Sequence, residues 1–446
     1  MSVRATCKPS VRPIVSPLAR NGVSGVTVYV SSSTGNDANS GSQASPLATI
    51  SAAIAVGASE IRLLGGDTFT GAVLLEGSQK LSSYGDGWPI LSHDSDATLT
   101  MIENAIADGI KIVSSDASAV YATVSIAGTA TIRNCWSIAN SNKALTIGGN
   151  GCLIEDSEFD DSSMACAQVV TFFQASHAIF RRNKITRTQS GTEIGLYSHG
   201  DGVRGGNVIE KNWITSTQSS DTTGKEVTAI DSLHQGTVTA DVYRFNLING
   251  YWEAWAVLVN DSVMFANVID FSQRIGAASA TISIPTNGVN VSLIANTLVT
   301  GNSDAANGLV NTLGGGNIVI KNNALYLNTI ARVYQRIDST ATSCDCDYNF
   351  YQGSSQTLSR RFSVDGTQVT FAAWRATHLH DENGAEVSMA LSDFAGGEFW
   401  PTAGSGLINA ATPLDGYGDR LSALSSWPDN VQIVASNNAG AYATGS

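Results

Sequence analysis

Short runs of β-branched and aliphatic residues, broken by polar residues, make up most of the chain, and few of them have helical spacing. Asn207-Val208-Ile209 and Ile318-Val319-Ile320 are typical. Alternation at every second position predicts β-strands that bury one face, whereas a helix would repeat every three to four residues. The chain is therefore expected to consist of many short strands.

An asparagine returns at the end of these runs. Between Thr131 and Phe350 it recurs at intervals of 21 to 34 residues, with an aspartate in one place. The positions are Asn134, Asp156, Asn183, Asn212, Asn246, Asn267, Asn296, Asn323 and Asn349. A repeat of this length signals a solenoid. Asparagine suits its turns because it tolerates the left-handed region and because stacked amides can hydrogen-bond between coils. We predict an all-β fold, a right-handed parallel β-helix whose coils lie about 4.8 Å apart.

The two ends of the repeat predict caps. Ser45 reads as a helix N-cap followed by Pro46 at the first helical position, and Gly57 as the end of that helix. A short helix there would cover apolar core and strand edges that the open end of a solenoid exposes. The predicted division is an N-terminal arm at 1–25 that docks on a larger assembly, the β-helix with its N-terminal cap at 26–355, and an irregular C-terminal cap at 356–446.

Both ends resemble those of pectin-lyase-like right-handed β-helix proteins. The opening segments are Tyr29 to Asp37 and Ser45 to Ile54, and the closing segments are Phe371 to Trp374 and Asn438 to Tyr442. That family includes polysaccharide lyases, polygalacturonase-type hydrolases and phage tailspikes. The resemblance implies the fold and, by tailspike precedent, a homotrimer.

Composition narrows the range of partners. A net charge of −13 makes nucleic acid and anionic membranes unexpected as partners. No run is long and apolar enough for membrane insertion, and the N-terminus has no apolar segment of the secretory type. The six cysteines fit no zinc spacing, so neither a metal nor another cofactor is predicted. The expected location is a virion tail if the protein comes from a phage, and otherwise the extracellular space.

Aligning the coils on the asparagine brings acids, imidazoles and aromatic residues of adjacent coils onto one predicted patch. The candidate catalytic residues are Asp201, Asp231, Glu253, His199 and His234. The candidate substrate-binding residues are Tyr197, Trp252, Trp255, Arg182 and Arg204. Glycoside hydrolysis uses two carboxyl groups, and aromatic faces bind sugar rings. A lyase would instead need a base and a cation that neutralises a uronate, and basic residues crowd the same coils.

Three hypotheses follow from this set. The first is a tailspike-like protein that binds a bacterial surface polysaccharide and cleaves it as a hydrolase or lyase. The second is a non-catalytic virion spike that binds a receptor, and the third is a secreted bacterial polysaccharide lyase or hydrolase. His199-Gly200-Asp201-Gly202-Val203 resembles a His-x-Asp-Gly-Ile segment of many β-helix proteins. The polygalacturonase motifs are missing, so no particular activity transfers. Each residue also has a structural alternative, because Asp201-Gly202 suits a turn and the tryptophans suit a packed loop.

Overall fold

The structure is a computed structural model that describes most of the chain between residues 25 and 405. The described residues are 25–94, 97–117, 121–139, 142–163, 165–201, 205–220, 227–235, 239–258, 260–271, 282–285, 289–300, 310–312, 316–327, 335–337, 344–353, 362–365, 367–387, 389, 391–393, 398–401 and 405. Residues 1–24 of the predicted arm and most of the predicted C-terminal cap lie outside this part.

The described strands form three long sheets, and each coil contributes one strand to each sheet in turn. Sheet 1 contains Thr27–Val30, Glu60–Leu64, Lys80–Tyr84, Ala105–Asp108, Ala130–Arg133, Leu153–Glu155, Ile179–Arg181, Val208–Glu210, Asp241–Arg244, Asn260–Phe265, Val289–Ile294, Ile318–Lys321 and Cys344–Asp347. Sheet 2 contains Thr68–Thr70, Ile90–His93, Lys111–Ser114, Trp136–Ile138, Glu158–Asp160, Lys184–Arg187, Trp213–Ser216, Leu247–Gly250, Val268–Phe271, Thr297–Thr300, Ala324–Leu327, Phe350–Gly353 and Ala385–Glu386.

Sheet 3 closes each coil before the chain returns to sheet 1. It contains Val73–Leu75, Leu99–Met101, Val124–Ile126, Leu145–Ile147, Gln168–Phe173, Ile194–Asp201, Thr228–Gln235, Ala254–Leu258, Ile282–Ile284, Val310–Thr312, Gln335–Ile337, Phe362–Val364 and Thr367–Val369. Pairing within the three sheets is parallel except for the last two strands of sheet 3, which are antiparallel. A separate antiparallel pair joins Leu391–Asp393 to Glu398–Pro401. The predicted right-handed parallel β-helix is confirmed.

Apolar side chains from all three sheets fill the interior of the coils. Ile132, Ile154 and Phe180 lie in register on successive strands of sheet 1 and are at most 1% exposed. The ring of Phe180 contacts Phe159 of sheet 2 and Phe172 of sheet 3, each at a centroid distance of 5.7 Å. Burying each such side chain contributes about 1.5–3 kcal/mol, and this repeats from coil to coil.

A ladder of buried asparagines runs along the turn between sheets 1 and 2. Asn246 shows the pattern: its side-chain oxygen accepts from the backbone N–H and the side-chain amide of Asn212, both at 3.0 Å. Its own amide donates to the backbone oxygen of Ile209 and to the side-chain oxygen of Asn267, both at 2.9 Å. Each asparagine therefore joins two neighbouring coils, as the sequence predicts.

The left-handed residue is not the ladder asparagine but its predecessor. These predecessors have φ between 51° and 59°: Arg182, Lys211, Phe245, Ala266, Ala295, Asn322 and Tyr348. Asn134 and Asp156, with φ of 50° and 52°, belong to this set. The ladder positions of their two coils are held by Cys135 and Ser157, because the Cys135 N–H donates to the Ser157 hydroxyl at 3.1 Å. The prediction that asparagine serves here as the left-handed residue is wrong for Asn183 onward; its role there is the amide stack.

A short helix covers the N-terminal end, but it begins later than predicted. It spans Ile50–Ala55, and its N-cap is Thr49, whose side chain accepts from the Ala52 N–H. The Asp37 carboxylate fixes this start, since it accepts from the backbone N–H and the hydroxyl of Thr49, each at 2.9 Å. Ser45 is not the cap, because Leu47 still pairs with the first strand of sheet 1 and keeps that stretch extended.

A second helix, Phe371–His378, lies at the other end and places Trp374 fully in the core. Below it, Asp381 completes the asparagine ladder: its carboxylate accepts from the backbone and side-chain N–H groups of Asn349 at 3.0 and 2.7 Å, from the indole N–H of Trp374 at 3.1 Å, and from the hydroxyl of Tyr351. Burial raises the pKa of Asp381, and these hydrogen bonds counter the rise. Neither described helix has the length and hydropathy needed to cross a membrane.

Candidate functional site

The outer face of sheet 3 carries an aromatic and acidic cluster, which we call the sheet-3 patch: Phe173, Tyr197, His199 and Asp231. Strand pairing builds it, because Tyr197 lies in register with Asp231, and Phe173 with His199. Inward neighbours in the same strands, such as Leu196 and Ile230, are fully buried, so alternation points the patch residues outward. Phe173 is 47% exposed, and the other three members are half-buried.

The His199 ring contacts the other two rings of the patch edge to face. The His199 imidazole lies 5.5 Å from the Tyr197 ring and 6.0 Å from the Phe173 ring, measured between centroids. Burial raises the pKa of Tyr197, and the Asp231 carboxylate raises it further. The phenol is therefore protonated near neutral pH and is a hydrogen-bond donor or general acid there rather than a base.

A buried hydroxyl borders the patch. Thr171 lies in register with Tyr197, is 2% exposed, and its hydroxyl has no hydrogen-bond partner among the described residues. A buried polar group without a partner costs about 1–3 kcal/mol. Such a group at a surface patch is suited to a hydrogen bond with a bound ligand.

The predicted acids and imidazoles do not all meet at this patch. The backbone of Asp201 pairs with Gln235, and His234 pairs with Gly200, one position away from the column that holds His199. The side chains of Asp201 and His234 are outside what the structure describes. Asp201 lies four residues beyond Tyr197, about 13 Å along the strand direction from the level of Asp231.

Glu253 lies at the opposite end of this region. Its carboxylate accepts from the backbone N–H of Val227 at 3.1 Å, and its own N–H donates to the Val227 oxygen at 2.9 Å. Val227 precedes Asp231 by four residues, again about 13 Å along the strand. The three predicted acids therefore occupy three levels of the sheet. A retaining glycosidase needs its carboxyl groups about 5 Å apart and an inverting one about 6.5–9.5 Å. The backbone spacing of about 13 Å between successive acids is longer than either separation.

Trp252 is not a surface residue, which corrects its predicted role in substrate binding. The side chain is fully buried in the core, and its indole N–H donates to the backbone oxygen of Asn249 at 2.9 Å. It precedes strand Ala254–Leu258 at the corner between sheets 2 and 3, so its ring fills the coil. The side chain of Trp255 and the whole of Arg204 lie outside the described part of the chain.

The basic residues of these coils also lie elsewhere. Arg182 occupies the turn between sheets 1 and 2, where its guanidinium donates to Asp156 at 2.6 and 2.7 Å and to Glu155 at 2.8 Å. Its predicted role in substrate binding at the patch is therefore wrong. Lys184 pairs with Glu158 on sheet 2 at 2.7 Å. Arg187 is fully buried and donates to backbone oxygens, among them that of Thr192 at 2.9 Å.

Phe173 is the patch member that the candidate set lacks. It belongs to a Phe172-Phe173 pair at the end of a strand, and alternation places one ring in the core and the other outside. The sequence signal is the alternation Val170-Thr171-Phe172-Phe173. If Val170 and Phe172 point into the core, as the structure shows, Phe173 points outward.

The fold is a right-handed parallel β-helix built from three long sheets. Among solved structures, the chain is similar to the pectate lyase Pel9A, with 17% identity over 94% of this chain and 96% of that chain and a TM-score of 0.51. It is also similar to the GH136 lacto-N-biosidase from Eubacterium ramulus (9% identity, 76% and 67% covered, TM-score 0.47). The Dettilon tailspike protein matches at 13% identity, 71% and 63% covered, with a TM-score of 0.41. At these identities the likeness shows the fold alone. No protein-family model and no curated protein sequence matches the chain.

Proposed function

We propose that this chain binds a polysaccharide across the outer face of sheet 3, with the sheet-3 patch at the centre of the site. The observation that carries the proposal is the exposed Phe173 ring beside Tyr197, His199 and Asp231. Aromatic side chains offer flat apolar area to sugar rings, while a carboxylate and an imidazole satisfy hydroxyl groups. The fold shared with Pel9A, a pectate lyase by name, supports a polysaccharide as the ligand, without selecting which one.

The patch also holds groups suited to cleavage of the bound glycan. Asp231 and His199 can accept a proton, and the protonated Tyr197 phenol can donate one. We propose that cleavage, if it occurs, takes place at this patch and not at Glu253, whose carboxylate holds a backbone N–H. The proposed substrate is a bacterial surface polysaccharide, bound by a tail protein of a virion or by an extracellular enzyme.

Binding can be tested by affinity electrophoresis against a panel of bacterial polysaccharides. Phe173→Ala removes one aromatic contact, so the affinity should fall about 10-fold, the equivalent of 1.4 kcal/mol. Trp88→Ala is the matched control, because Trp88 is a comparably exposed aromatic residue (44%) that lies outside sheet 3. Equal affinities for wild type and Phe173→Ala, or an equal loss in Trp88→Ala, would contradict the proposed site.

Cleavage needs a separate assay. New reducing ends report hydrolysis, and the ultraviolet absorbance of an unsaturated uronate reports elimination. Asp231→Asn should abolish either product while glycan binding persists. Binding without any product from the wild-type chain would favour a non-catalytic spike. The homotrimer and the docking role of residues 1–25 stay predictions, which mass photometry of the full chain and of a chain lacking residues 1–25 can test.

A further inference from the structure

A column of hydroxyl groups extends from the sheet-3 patch toward the N-terminal end of the solenoid. Thr100, Ser125, Thr146 and Thr171 lie in register on four successive strands of sheet 3, next in line to Tyr197. The parallel strands place them about 4.8 Å apart, so the column is about 14 Å long. Thr100, Ser125 and Thr146 are half-buried. Their hydroxyls make no hydrogen bond to any other residue that the structure describes.

Ala127 and Gly148 keep much of the face beside this column open. Two positions after the hydroxyl residues of the first three strands come Ile102, Ala127 and Gly148, directly beyond the strand ends. Phe173 is the equivalent residue of the fourth strand. Ala127 is exposed, and Gly148 has no side chain at all. The two columns together form a shallow surface, which we call the sheet-3 trough. Hydroxyls line one side of it, Ile102, Ala127 and Gly148 line the other, and the Phe173 ring lies at its C-terminal end.

Charge is the feature that decides what fits the trough. None of the eight residues of the two columns is charged. The flanking charges are acidic: Glu76 at one end and Asp231 at the other. The cation nearest in sequence to the trough residues is Lys143, just before strand Leu145–Ile147. Its ammonium donates to the Asn142 side-chain oxygen at 2.6 Å, and burial lowers the pKa of Lys143. Three arginines lie on nearby strands of sheet 1, and each is paired with a carboxylate: Arg133, Arg181 and Arg244.

We infer that the sheet-3 trough takes an uncharged stretch of glycan, so the ligand of the proposed site is a neutral polysaccharide and not a polyuronate. This rests on the proposed function. Unpartnered hydroxyls offer donors and acceptors to sugar hydroxyls, whereas a uronate carboxylate would face Glu76 and Asp231 with no cation among the lining residues.

The inference also selects the chemistry of cleavage. Elimination requires a proton made acidic by an adjacent carboxylate, which a neutral sugar lacks. Hydrolysis remains: the bond between the anomeric carbon and the glycosidic oxygen breaks, and water supplies a hydroxyl group to the carbon and a proton to the oxygen. Asp231, at the C-terminal end of the trough, is the described carboxylate placed to serve that reaction.

The experiment measures binding of the full chain to neutral glycans (dextran, mannan, galactan) and to acidic ones (polygalacturonate, alginate). We expect neutral glycans to bind at least 10-fold more tightly. The double variant Ser125→Ala/Thr146→Val removes two hydrogen bonds of about 1 kcal/mol each, so the affinity should fall about 30-fold. Thr146→Lys should shift the preference toward acidic glycans. Thr131→Lys, at a half-buried outward position of sheet 1, should leave it unchanged.

The outcomes separate the inference from the proposal beneath it. Tighter binding of an acidic glycan that is lost in Phe173→Ala overturns the inference and leaves the proposed site standing. A neutral preference that survives the double variant also overturns it, because another surface then supplies the specificity. A chain that binds no glycan of either class refutes both. Far-ultraviolet circular dichroism of each variant shows that a loss of affinity does not come from unfolding.

Discussion

The asparagine ladder makes a strong prediction about stability, which Asn246→Ala tests. Asn246 is 1% exposed and takes part in four side-chain hydrogen bonds, two with Asn212, one with Ile209 and one with Asn267. At about 1 kcal/mol net for each, their loss costs about 4 kcal/mol. The substitution also leaves the buried N–H of Asn212 and the buried oxygen of Ile209 without these partners. We therefore expect the free energy of unfolding to fall by about 4–6 kcal/mol.

The control is another asparagine of the same sequence repeat. Asn134 is exposed, has φ of 50°, and donates one side-chain hydrogen bond, to Asp108 at 3.0 Å. Glycine accepts this backbone conformation, so Asn134→Gly should change the free energy of unfolding by less than about 0.5 kcal/mol. Urea unfolding followed by circular dichroism, with midpoints compared at equal slopes, measures both variants. A loss below about 1 kcal/mol in Asn246→Ala would refute the ladder as a source of stability.

Two further predictions concern a buried ring and a titrating acid. Trp252→Ala should destabilise the chain by about 3–5 kcal/mol, as expected for a large core side chain, while the conservative Trp252→Phe should leave glycan affinity unchanged; a selective loss of affinity in Trp252→Phe would restore its predicted binding role. Glu60 tests pH dependence: burial alone would raise its pKa, but hydrogen bonds from Lys80 and Arg62 outweigh burial and lower the pKa to about 2. Because the pKa is lower in the folded state, its stabilisation is present above about pH 4.5 and is lost as the pH falls toward 2. Wild type should thus be more stable than Glu60→Gln at pH 6 and approach it near pH 2, and a constant difference across that range would contradict the ion pairs.

The fold could be predicted because one physical requirement repeats with every coil. Each turn between sheets 1 and 2 needs a side chain that both donates and accepts, and Asn183 through Asn349 meet that need at regular intervals. The left-handed residue was harder to locate, since the predecessors share only a backbone angle: Arg182, Ala266 and Tyr348 have nothing chemical in common. Asn134 and Asp156 fit the sequence repeat by residue type while occupying this other position.

The candidate site could be predicted less well, because its geometry depends on shifts of one residue. Tyr197, His199 and Asp231 meet as expected, since their strands pair without a shift. The backbone of His234 pairs with Gly200, one position away from that column. A pattern in the sequence does not define register to one residue. Trp252 and Glu253 lie at a corner of the coil, where loop length decides whether a ring points inward. No periodicity in the sequence reports that length.

The carboxylate of Asp381 sets a rule for changing the length of this solenoid. Every asparagine in the ladder passes its hydrogen bonds on in one direction, so the stack has a polarity, much like a chain of head-to-tail dipoles. Asp381 accepts from four N–H or O–H groups of Asn349, Tyr351 and Trp374, two of them from Asn349. An amide in its place would turn its own N–H₂ toward donors. New coils can therefore be inserted between existing asparagines. Coils appended beyond Asp381 would leave inside the rod a carboxylate that has no amide N–H to donate to the next coil. An engineered longer variant would have to move that carboxylate to the new end.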